Sequence, residues 1–211
     1  AMSQNEKKTR HFLVAMTGLS GSLYGLKLVS ELLRAGMRVS LLLTEAGCKV
    51  LQHETGLDWS GEAGHRRLLV QEHFASIAVD CLALDDFWSG PASGSARTEA
   101  MVIVPCSMGT AGRVAAGLSG NLLERAADVM LKERRTLILV PRETPFNSIH
   151  LENLLRLSRA GAHIVPAMPA FYQKPQSVDD LVDFVVGKVL DALRIEHSLF
   201  PRWGEAPPEG K

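Results

Sequence analysis

Short runs of apolar residues alternate with longer amphipathic segments along most of this chain. Three of the apolar runs have the length of a strand: His11–Met16, Arg38–Leu43 and Thr136–Val140. Nearly continuous apolar runs are typical of strands that are covered on both faces of a parallel sheet. The alternation of strands with helices predicts a single α/β domain with a doubly wound, mainly parallel sheet flanked by helices, Rossmann-like or flavodoxin-like.

The same alternation predicts the remaining elements. Further strands are expected at Cys81–Leu84, Met101–Val104 and Ala162–Val165. Helices are expected at Ser22–Ala35, Glu45–Glu54, Arg66–Phe74, Met108–Ala116, Leu122–Arg135 and Ser148–Ala160, and from a capping box at Ser177 and Asp180 to about Arg194. We expect residues 1–10 to be disordered, residues 11–195 to form the α/β domain, and residues 196–211 to form a tail that packs on a neighbouring subunit.

The charge balance and the cysteines narrow the class of protein. The 211 residues include 23 Lys and Arg and 23 Asp and Glu, so the net charge is zero, and nothing resembles a polybasic nucleic-acid surface. The three cysteines are widely spaced, which favours a reducing, cytoplasmic compartment over a disulfide framework. The polar first ten residues do not resemble a signal peptide, and no apolar run has the length of a membrane span.

Two predicted strand–helix junctions could hold an anion. The first, Thr17–Gly25, has three glycines that let backbone amides approach a ligand at a helix N-terminus. The second, Pro105–Thr110, adds small hydroxyl residues and a glycine. Ligands of open α/β sheets bind beyond the carboxyl ends of the strands, so these junctions indicate a phosphate-bearing ligand. A tight structural turn is the alternative, because the first junction matches neither the dinucleotide fingerprint nor the P-loop.

Charged residues lie on both sides of the predicted strand Thr136–Val140. Arg142 and Glu143 lie between two prolines after the strand, which suggests an anion clamp beside a proton-transfer group, with a surface ion pair as the alternative. Arg125, Asp128 and Lys132 share one face of the preceding helix. They form either a solvated ion-pair ladder or a set of cations that converges with Arg142 on one phosphate.

Two further motifs have plainer explanations. Cys106 precedes a helix N-terminus that could activate it as a nucleophile, but no histidine is placed as its base, and a buried structural cysteine is the favoured interpretation. Asp179, Asp180 and Asp183 match a DDxxD magnesium motif, yet the first two lie in the first helical turn after Ser177, where the helix dipole favours negative charge. We therefore expect no metal site.

Six motifs in this order resemble the flavin prenyltransferases of the UbiX family. They are TGLSGS-x-YG at Thr17–Gly25, PASGS at Pro91–Ser95, PCSMGT at Pro105–Thr110, RAADV-x-LKERR at Arg125–Arg135, RETP at Arg142–Pro145 and PAFY-x-x-PQS at Pro169–Ser177. The resemblance extends from about His11 to Trp203, and residues 56–86 are the least similar.

The resemblance implies a metal-independent transferase and a flavin-binding role for residues 11–195. Its substrates would be dimethylallyl monophosphate and reduced FMN, which it would alkylate at N5 and C6. The product, prenylated FMN, would then pass to a partner decarboxylase of the UbiD type. The resemblance also implies a large homo-oligomer, for which a dodecamer is a candidate, with active sites at the contacts between subunits.

The resemblance also assigns roles to residues. FMN binding is assigned to Leu19, Ser20, Gly21, Thr44, Ser107, Met108, Gly109, Thr110 and Arg142. Prenyl-phosphate binding is assigned to Tyr172 and Lys188, helped by Arg125 and Lys132, with Phe87 or Trp88 beside the prenyl group. Proton transfer is assigned to Glu143, Glu54 and Ser20, with Glu143 as the base for ring closure. Position 188 is often arginine in the family, and lysine keeps the charge but loses the bidentate fork.

Three other functions compete with this one. An FMN-dependent cysteine decarboxylase shares the fold but typically has a PASANT-like loop and an active-site histidine, whereas this chain has PASGS and the set Lys132, Tyr172 and Lys188. A non-catalytic flavin-binding subunit is disfavoured because Glu54 and Glu143 are both present. A nicotinamide-dependent enzyme is the least favoured.

Overall fold

A computed structural model describes residues 9–201 and shows one six-stranded, all-parallel sheet. The strands are β1 (His11–Met16), β2 (Arg38–Leu43), β3 (Val79–Leu82), β4 (Ala100–Cys106), β5 (Thr136–Pro141) and β6 (His163–Ile164). The helices are α1 (Ser22–Arg34), α2 (Glu45–Thr55), α3 (Ala63–His73), α4 (Met108–Ala115), α5 (Leu122–Lys132), α6 (Ser148–Arg159) and α7 (Val178–Ala192). The predicted fold class is confirmed.

The sheet is buried on both faces, as its continuous apolar strands predict. On β1, Phe12, Val14 and Met16 point into one core, which also contains side chains of α1, α2 and α7. Leu13 and Ala15 point into a second core, shared with α4, α5 and α6. Successive side chains of a strand face opposite ways, so a strand buried on both faces must be apolar throughout.

The strand order β3-β2-β1-β4-β5-β6 places a topological switch point between β1 and β4. The chain winds outward from β1 through β2 to β3, then returns to the other side of β1. The loops that follow the carboxyl ends of β1 and β4 therefore lead away from each other in opposite directions. This divergence opens the crevice in which doubly wound folds bind their ligands.

Several element boundaries differ from the predicted ones for local reasons. β4 continues through Pro105 to Cys106, because a register shift between Ile103 and Cys106 lets the strand accommodate a residue that donates no ladder hydrogen bond. The helix expected to reach Arg135 ends at Lys132, and Arg134 then adopts a left-handed φ of 54°. The third strand lies two residues earlier than predicted, at Val79–Leu82.

The chain after α7 returns along that helix. Residues up to 201 pack on α7 of the same chain, where the ring of Phe200 lies 5.2 Å from that of Phe184. The predicted contact of residues 196–211 with a neighbouring subunit stays a prediction. Residues 1–8 and 202–211, with the predicted N-terminal disorder and the rest of the tail, lie outside the described residues. Between residues 9 and 201, no helix is long and apolar enough to cross a membrane.

Candidate active site

The two predicted anion-binding junctions are joined by one buried hydroxyl at the switch point. Thr17 Oγ1 donates a hydrogen bond to the carbonyl oxygen of Pro105 at 2.8 Å and accepts one from the backbone nitrogen of Ser107 at 2.8 Å. Thr17 is only 2% exposed, so these bonds hold the carboxyl ends of β1 and β4 together. The first junction and the second therefore line the same crevice.

The first turn of α4 supplies free backbone donors to this crevice. Ser107 caps the helix by accepting a hydrogen bond from the backbone nitrogen of Thr110 at 3.2 Å. The next backbone amides, those of Met108 and Gly109, belong to the first helical turn, where no intrahelical acceptor is available. A Cβ built on Gly109 would meet its nearest neighbour, Arg113 Nη1, at 3.5 Å, so the backbone there is open to a ligand. The arrangement fits a phosphate group.

Thr44 joins the crevice from the second strand. Its backbone nitrogen donates to the carbonyl oxygen of Met16 at 3.1 Å, which places it beside the end of β1. Its side chain caps α2 by accepting from the backbone nitrogen of Gly47 at 2.9 Å. A Cβ on Gly18 would overlap the Cβ of Ala46, so the first junction packs tightly against α2.

Glu54 occupies the N-terminus of α1. The N-cap residue Gly21 has no side chain to cap the helix, and the carboxylate of Glu54 accepts instead from Gly21 N at 3.0 Å and Ser22 N at 2.8 Å. Burial raises the pKa of Glu54, but hydrogen bonds from Ser20, Ser22 and Gly21 outweigh burial and hold the pKa below its usual range. The ionised form is therefore favoured.

Arg142 reaches the same junction from β5. Its Nε donates to the carbonyl oxygen of Ser20 at 3.2 Å. Burial raises the pKa of Tyr24, which packs under Gly21, and the charge of Arg142 opposes that rise. Glu143 is half-buried and accepts a hydrogen bond from the backbone nitrogen of Thr144 at 3.1 Å.

Tyr172 and Lys188 form a second group, around α7 and the segment that follows β6. Phe184 and Lys188, one turn apart on α7, line an open, mainly apolar cleft of about 600 Å³. The ring of Tyr172 meets that of Phe184 edge-on at 6.2 Å. Ala167 N donates to the carbonyl oxygen of Pro141 at 2.9 Å, so the segment that leads to Tyr172 passes directly beside the carboxyl end of β5.

Arg125, Lys132 and Trp88 form a third group, on α5 and the loop that packs along it. Arg125 Nε donates to the carbonyl oxygen of Ala92 at 3.1 Å and anchors this loop. Lys132 forms an ion pair with Glu133, close under the same loop. Trp88 is 99% exposed and Phe87 44% exposed, so Trp88 projects from the surface of the single chain.

Strand β5 separates Lys132 from Arg142 within one chain. Lys132 ends α5 just before the amino end of β5, and Arg142 follows its carboxyl end. A strand of six residues is about 20 Å long at roughly 3.3 Å per residue. The expectation that these two cations converge on one phosphate is therefore not met within one chain, and a shared phosphate would require a second copy.

The remaining candidates have structural roles. Burial raises the pKa of the Cys106 thiol to about 12, which opposes a role as nucleophile. Asp180 accepts hydrogen bonds from the backbone nitrogens of Gln176 at 2.7 Å and Ser177 at 3.1 Å, so it completes the predicted capping box. Asp183 forms an ion pair with Lys27 at 2.9 Å.

Sequence reasoning missed two residues of the crevice, Thr17 and Tyr24. A signal for Thr17 was present, because it is a polar residue that directly follows an apolar strand and precedes a glycine. Tyr24 lies three residues after Gly21, which is about one helical turn along α1. Residues at this spacing lie on the same face of a helix, so the Tyr24 ring packs against Gly21.

Known proteins with similar sequences and structures share this arrangement of the chain. A family model described as Flavoprotein matches residues 1–190. The flavin prenyltransferase UbiX of Halalkalibacterium halodurans is 53% identical over 92% of this chain and 93% of its own length. The crystal structure of AnUbiX (PadA1) in complex with FMN and dimethylallyl pyrophosphate is 38% identical, with a TM-score of 0.82 over 95% of this chain and all of that one. A dodecameric FMN-dependent UbiX-like decarboxylase from Escherichia coli O157:H7 is 38% identical, with a TM-score of 0.81 over 92% of this chain and all of that one.

Proposed function

This chain belongs to the UbiX family of flavin prenyltransferases, and from that premise we propose that it transfers a dimethylallyl group from dimethylallyl monophosphate to N5 and C6 of reduced FMN. The observation that carries the proposal is the crevice at the switch point, where Ser20, Glu54, Arg142 and the first turn of α4 meet. When bound there, reduced FMN supplies the nucleophilic nitrogen and carbon.

The residues of the crevice fit a flavin with a phosphate tail. The free amides of Met108 and Gly109, with the positive end of the helix dipole, suit a phosphate group. The hydroxyls of Ser107 and Thr110 lie beside these amides, 2.9 Å from each other. The turn Leu19–Gly21 forms the floor for the flat ring system, and Arg142 is anchored on the carbonyl oxygen of Ser20 at its edge.

The prenyl phosphate is held by residues of two copies of the chain. Tyr172 follows a segment that passes beside the carboxyl end of β5, where Arg142 lies, and Lys188 lines the neighbouring cleft on α7. Lys132 lies at the amino end of β5, away from Arg142, and the exposed Trp88, on the loop that Arg125 anchors, suits insertion into the site of a second subunit. Together the cations neutralise a phosphate leaving group, and the aromatic face stabilises a developing allylic cation.

Two carboxylates handle protons in the crevice. Glu54 is held ionised by the amides of α1 and bonds to Ser20, so it acts as a proton acceptor near N5. Glu143 shares its turn with Arg142 and acts at C6 during ring closure. The prenylated FMN then leaves the crevice and serves a decarboxylase of the UbiD type.

Mass spectrometry of the released flavin tests the function. The protein is incubated anaerobically with reduced FMN, dimethylallyl monophosphate and excess EDTA, and the flavin is extracted. The expected result is a flavin heavier by one cyclised C5 group, formed without added metal. If the flavin stays unmodified both with and without EDTA, prenyl transfer is contradicted. If EDTA abolishes the activity and added magnesium restores it, the independence of metal is contradicted. Oxidative decarboxylation of a peptidyl or pantothenoyl cysteine by the same protein would support the decarboxylase alternative.

A further inference from the structure

The loop of residues 83–99, between β3 and β4, carries the exposed Trp88, and we call it the Trp88 loop. Arg135, which lies between the end of α5 and the start of β5, holds the far side of this loop. Its Nη1 donates to the carbonyl oxygen of Ala96 at 2.6 Å, and its Nη2 donates to that of Gly94 at 2.5 Å. Because the donors of a guanidinium group are fixed in one plane, two such bonds set the direction of the loop as well as its distance.

Arg135 is itself held in place by the elements on both sides of it. Its backbone nitrogen donates to the carbonyl oxygen of Met130 at 2.8 Å, on the last turns of α5. The residue before it, Arg134, has a left-handed φ of 54° that turns the chain out of the helix, and β5 begins at the next residue, Thr136. The half-buried side chain of Arg135 therefore extends from a fixed backbone.

The Trp88 loop lies close against α5 along its length. Near the start of the loop, the carbonyl oxygen of Leu84 accepts a hydrogen bond from the backbone nitrogen of Leu122 at 2.7 Å. Near its end, a Cβ built on Gly94 would overlap the carboxylate of Glu133 and lie 3.0 Å from Lys132 Nζ. The approach that Arg135 enforces is thus so close that only a glycine fits there.

Hydrogen-bonded turns connect Trp88 to the part of the loop that the arginines hold. Asp86 Oδ1 accepts from the backbone nitrogen of Trp88 at 3.1 Å, and the carbonyl oxygen of Asp86 accepts from Ser89 Oγ at 2.8 Å. The backbone nitrogen of Ala92 then donates to the carbonyl oxygen of Ser89 at 3.1 Å, in a turn that buries Pro91. The backbone on which Trp88 stands is therefore continuous with the segment that Arg135 fixes.

We infer that Arg135 is a positioning residue: by holding the Trp88 loop on α5, it sets the direction in which Trp88 leaves its own chain and aligns it with the prenyl group in the site of a second copy. The inference rests on the proposed function, in which Trp88 stabilises a developing allylic cation. A cation–π contact requires the cation to lie over the ring face, within about 6 Å of its centroid. Since Trp88 is almost fully exposed on its own chain, its alignment has to come from its backbone.

Two substitutions of Arg135 weaken this hold to different degrees. Arg135→Lys keeps the positive charge but loses the bidentate fork, and Arg135→Met keeps the length of the stem but loses every donor. For the full-length protein loaded with FMN, we expect kcat to fall about 3- to 10-fold in Arg135→Lys and at least as far in Arg135→Met, with a smaller change in KM for dimethylallyl monophosphate and an unchanged Kd for FMN.

Arg134→Lys is the matched control. It makes the same change one residue away, on an exposed side chain that bonds to none of residues 9–201, and kcat should stay at the wild-type value. A wild-type kcat in both Arg135 variants, or an equal loss in Arg134→Lys, contradicts the inference.

A double-mutant cycle separates positioning from general structural damage. Trp88→Ala should lower kcat at least as far as Arg135→Lys does. In the Trp88→Ala background, Arg135→Lys should have no further effect on kcat, because no indole remains to be aligned. Losses that multiply contradict the inference, as does a wild-type kcat in Trp88→Ala. If Arg135→Lys does not fold by thermal melting, Arg135→Met takes its place in the cycle.

Hydrogen exchange of backbone amides distinguishes this inference from the proposed function, because it does not depend on turnover. In Arg135→Lys with FMN bound, amides of residues 86–97 should exchange faster than in the wild type, while those of residues 17–25 in the crevice keep their protection. Unchanged exchange in residues 86–97 contradicts the inference whatever the activity. If exchange changes as expected but the wild type forms no prenylated flavin, the proposed function is contradicted while the hold of Arg135 on the loop is supported.

Discussion

Glu54 Oε2 lies 2.8 Å from the backbone nitrogen of Ser22, so a side chain from the end of α2 caps the start of α1. The N-cap residue itself, Gly21, has a φ of 116° and no side chain to perform this role. The glycine permits the sharp turn that a ligand must approach, and Glu54 supplies the missing acceptor. One carboxylate thus stabilises the turn and stands beside the proposed reaction centre.

Glu54→Gln should destabilise the protein by about 0.5–1 kcal/mol at neutral pH, since glutamine loses the charge that strengthens bonds to the amides, an effect that solvent screens at this exposed side chain. The pKa of Glu54 is lowered in the folded state, so its contribution is present above its unfolded-state pKa and is lost as the pH falls through the folded-state value. The difference between variant and wild type should therefore shrink in acid. Denaturant unfolding at neutral and acidic pH measures this difference in the free energy of unfolding. Glu152→Gln, a substitution at an exposed position, is the control.

Gly18→Ala should destabilise the protein by about 1–3 kcal/mol and weaken FMN binding, because the new methyl group would overlap the side chain of Ala46 and push the first junction away from α2. Gly64→Ala is the matched control, since a Cβ at this helical position meets nothing within 4 Å. It should be neutral or stabilising by up to about 1 kcal/mol. Thermal melting and FMN fluorescence quenching measure both effects, and equal behaviour of the two variants would contradict the tight packing described for Gly18.

The fold class and the meeting of two strand–helix junctions in one crevice could be predicted because they depend on local patterns. Strands buried on both faces must be apolar throughout, and backbone anion sites need glycines and small hydroxyl residues at strand ends. Thr44 and Ser107 follow this rule and lie in the crevice. The spatial separation of Lys132 from Arg142 could not be read from their closeness in sequence, because the intervening strand carries them to opposite edges of the sheet.

The docking of residues 196–201 was equally hidden from the sequence. It depends on the absence of a side chain at Gly187, which receives Phe200 and His197 from the following turn. A glycine in a helical pattern indicates a close approach but does not identify the segment that approaches. The same limit applies to Trp88, whose proposed partner surface belongs to another copy of the chain.

Mixed oligomers test whether two copies share one site. Lys132→Ala and Lys188→Ala should each reduce turnover strongly when assembled alone, because each removes a cation from every site. Random co-assembly in equal amounts should restore about a quarter of the sites, since a site that takes Lys188 from one chain and Lys132 from another is intact with that probability. Activity of refolded mixtures is compared with that of the two variants assembled separately and then combined. No recovery in the co-assembled sample would place both lysines in the site of a single chain.

Glu143→Gln should spare FMN binding and block the chemistry. Glutamine keeps the shape of the side chain and can still accept from the backbone nitrogen of Thr144, but it cannot exchange a proton at neutral pH. FMN affinity should change little, because the proposed phosphate site at the first turn of α4 consists of backbone amides and hydroxyls. Loss of a general acid or base typically costs on the order of 10² to 10⁴ in rate.

The stage at which Glu143→Gln stalls would identify the step that this carboxylate serves. If Glu143 acts only at ring closure, single-turnover spectra of the variant should show a flavin that carries one prenyl bond and persists. If it also protonates the leaving phosphate, the flavin should remain unmodified. Formation of the cyclised product at the wild-type rate would instead show that Glu143 only shapes its turn, through the bond to Thr144. The base for C6 would then be another residue of the crevice, and Glu54, whose carboxylate bonds to the turn after β1, would be the candidate.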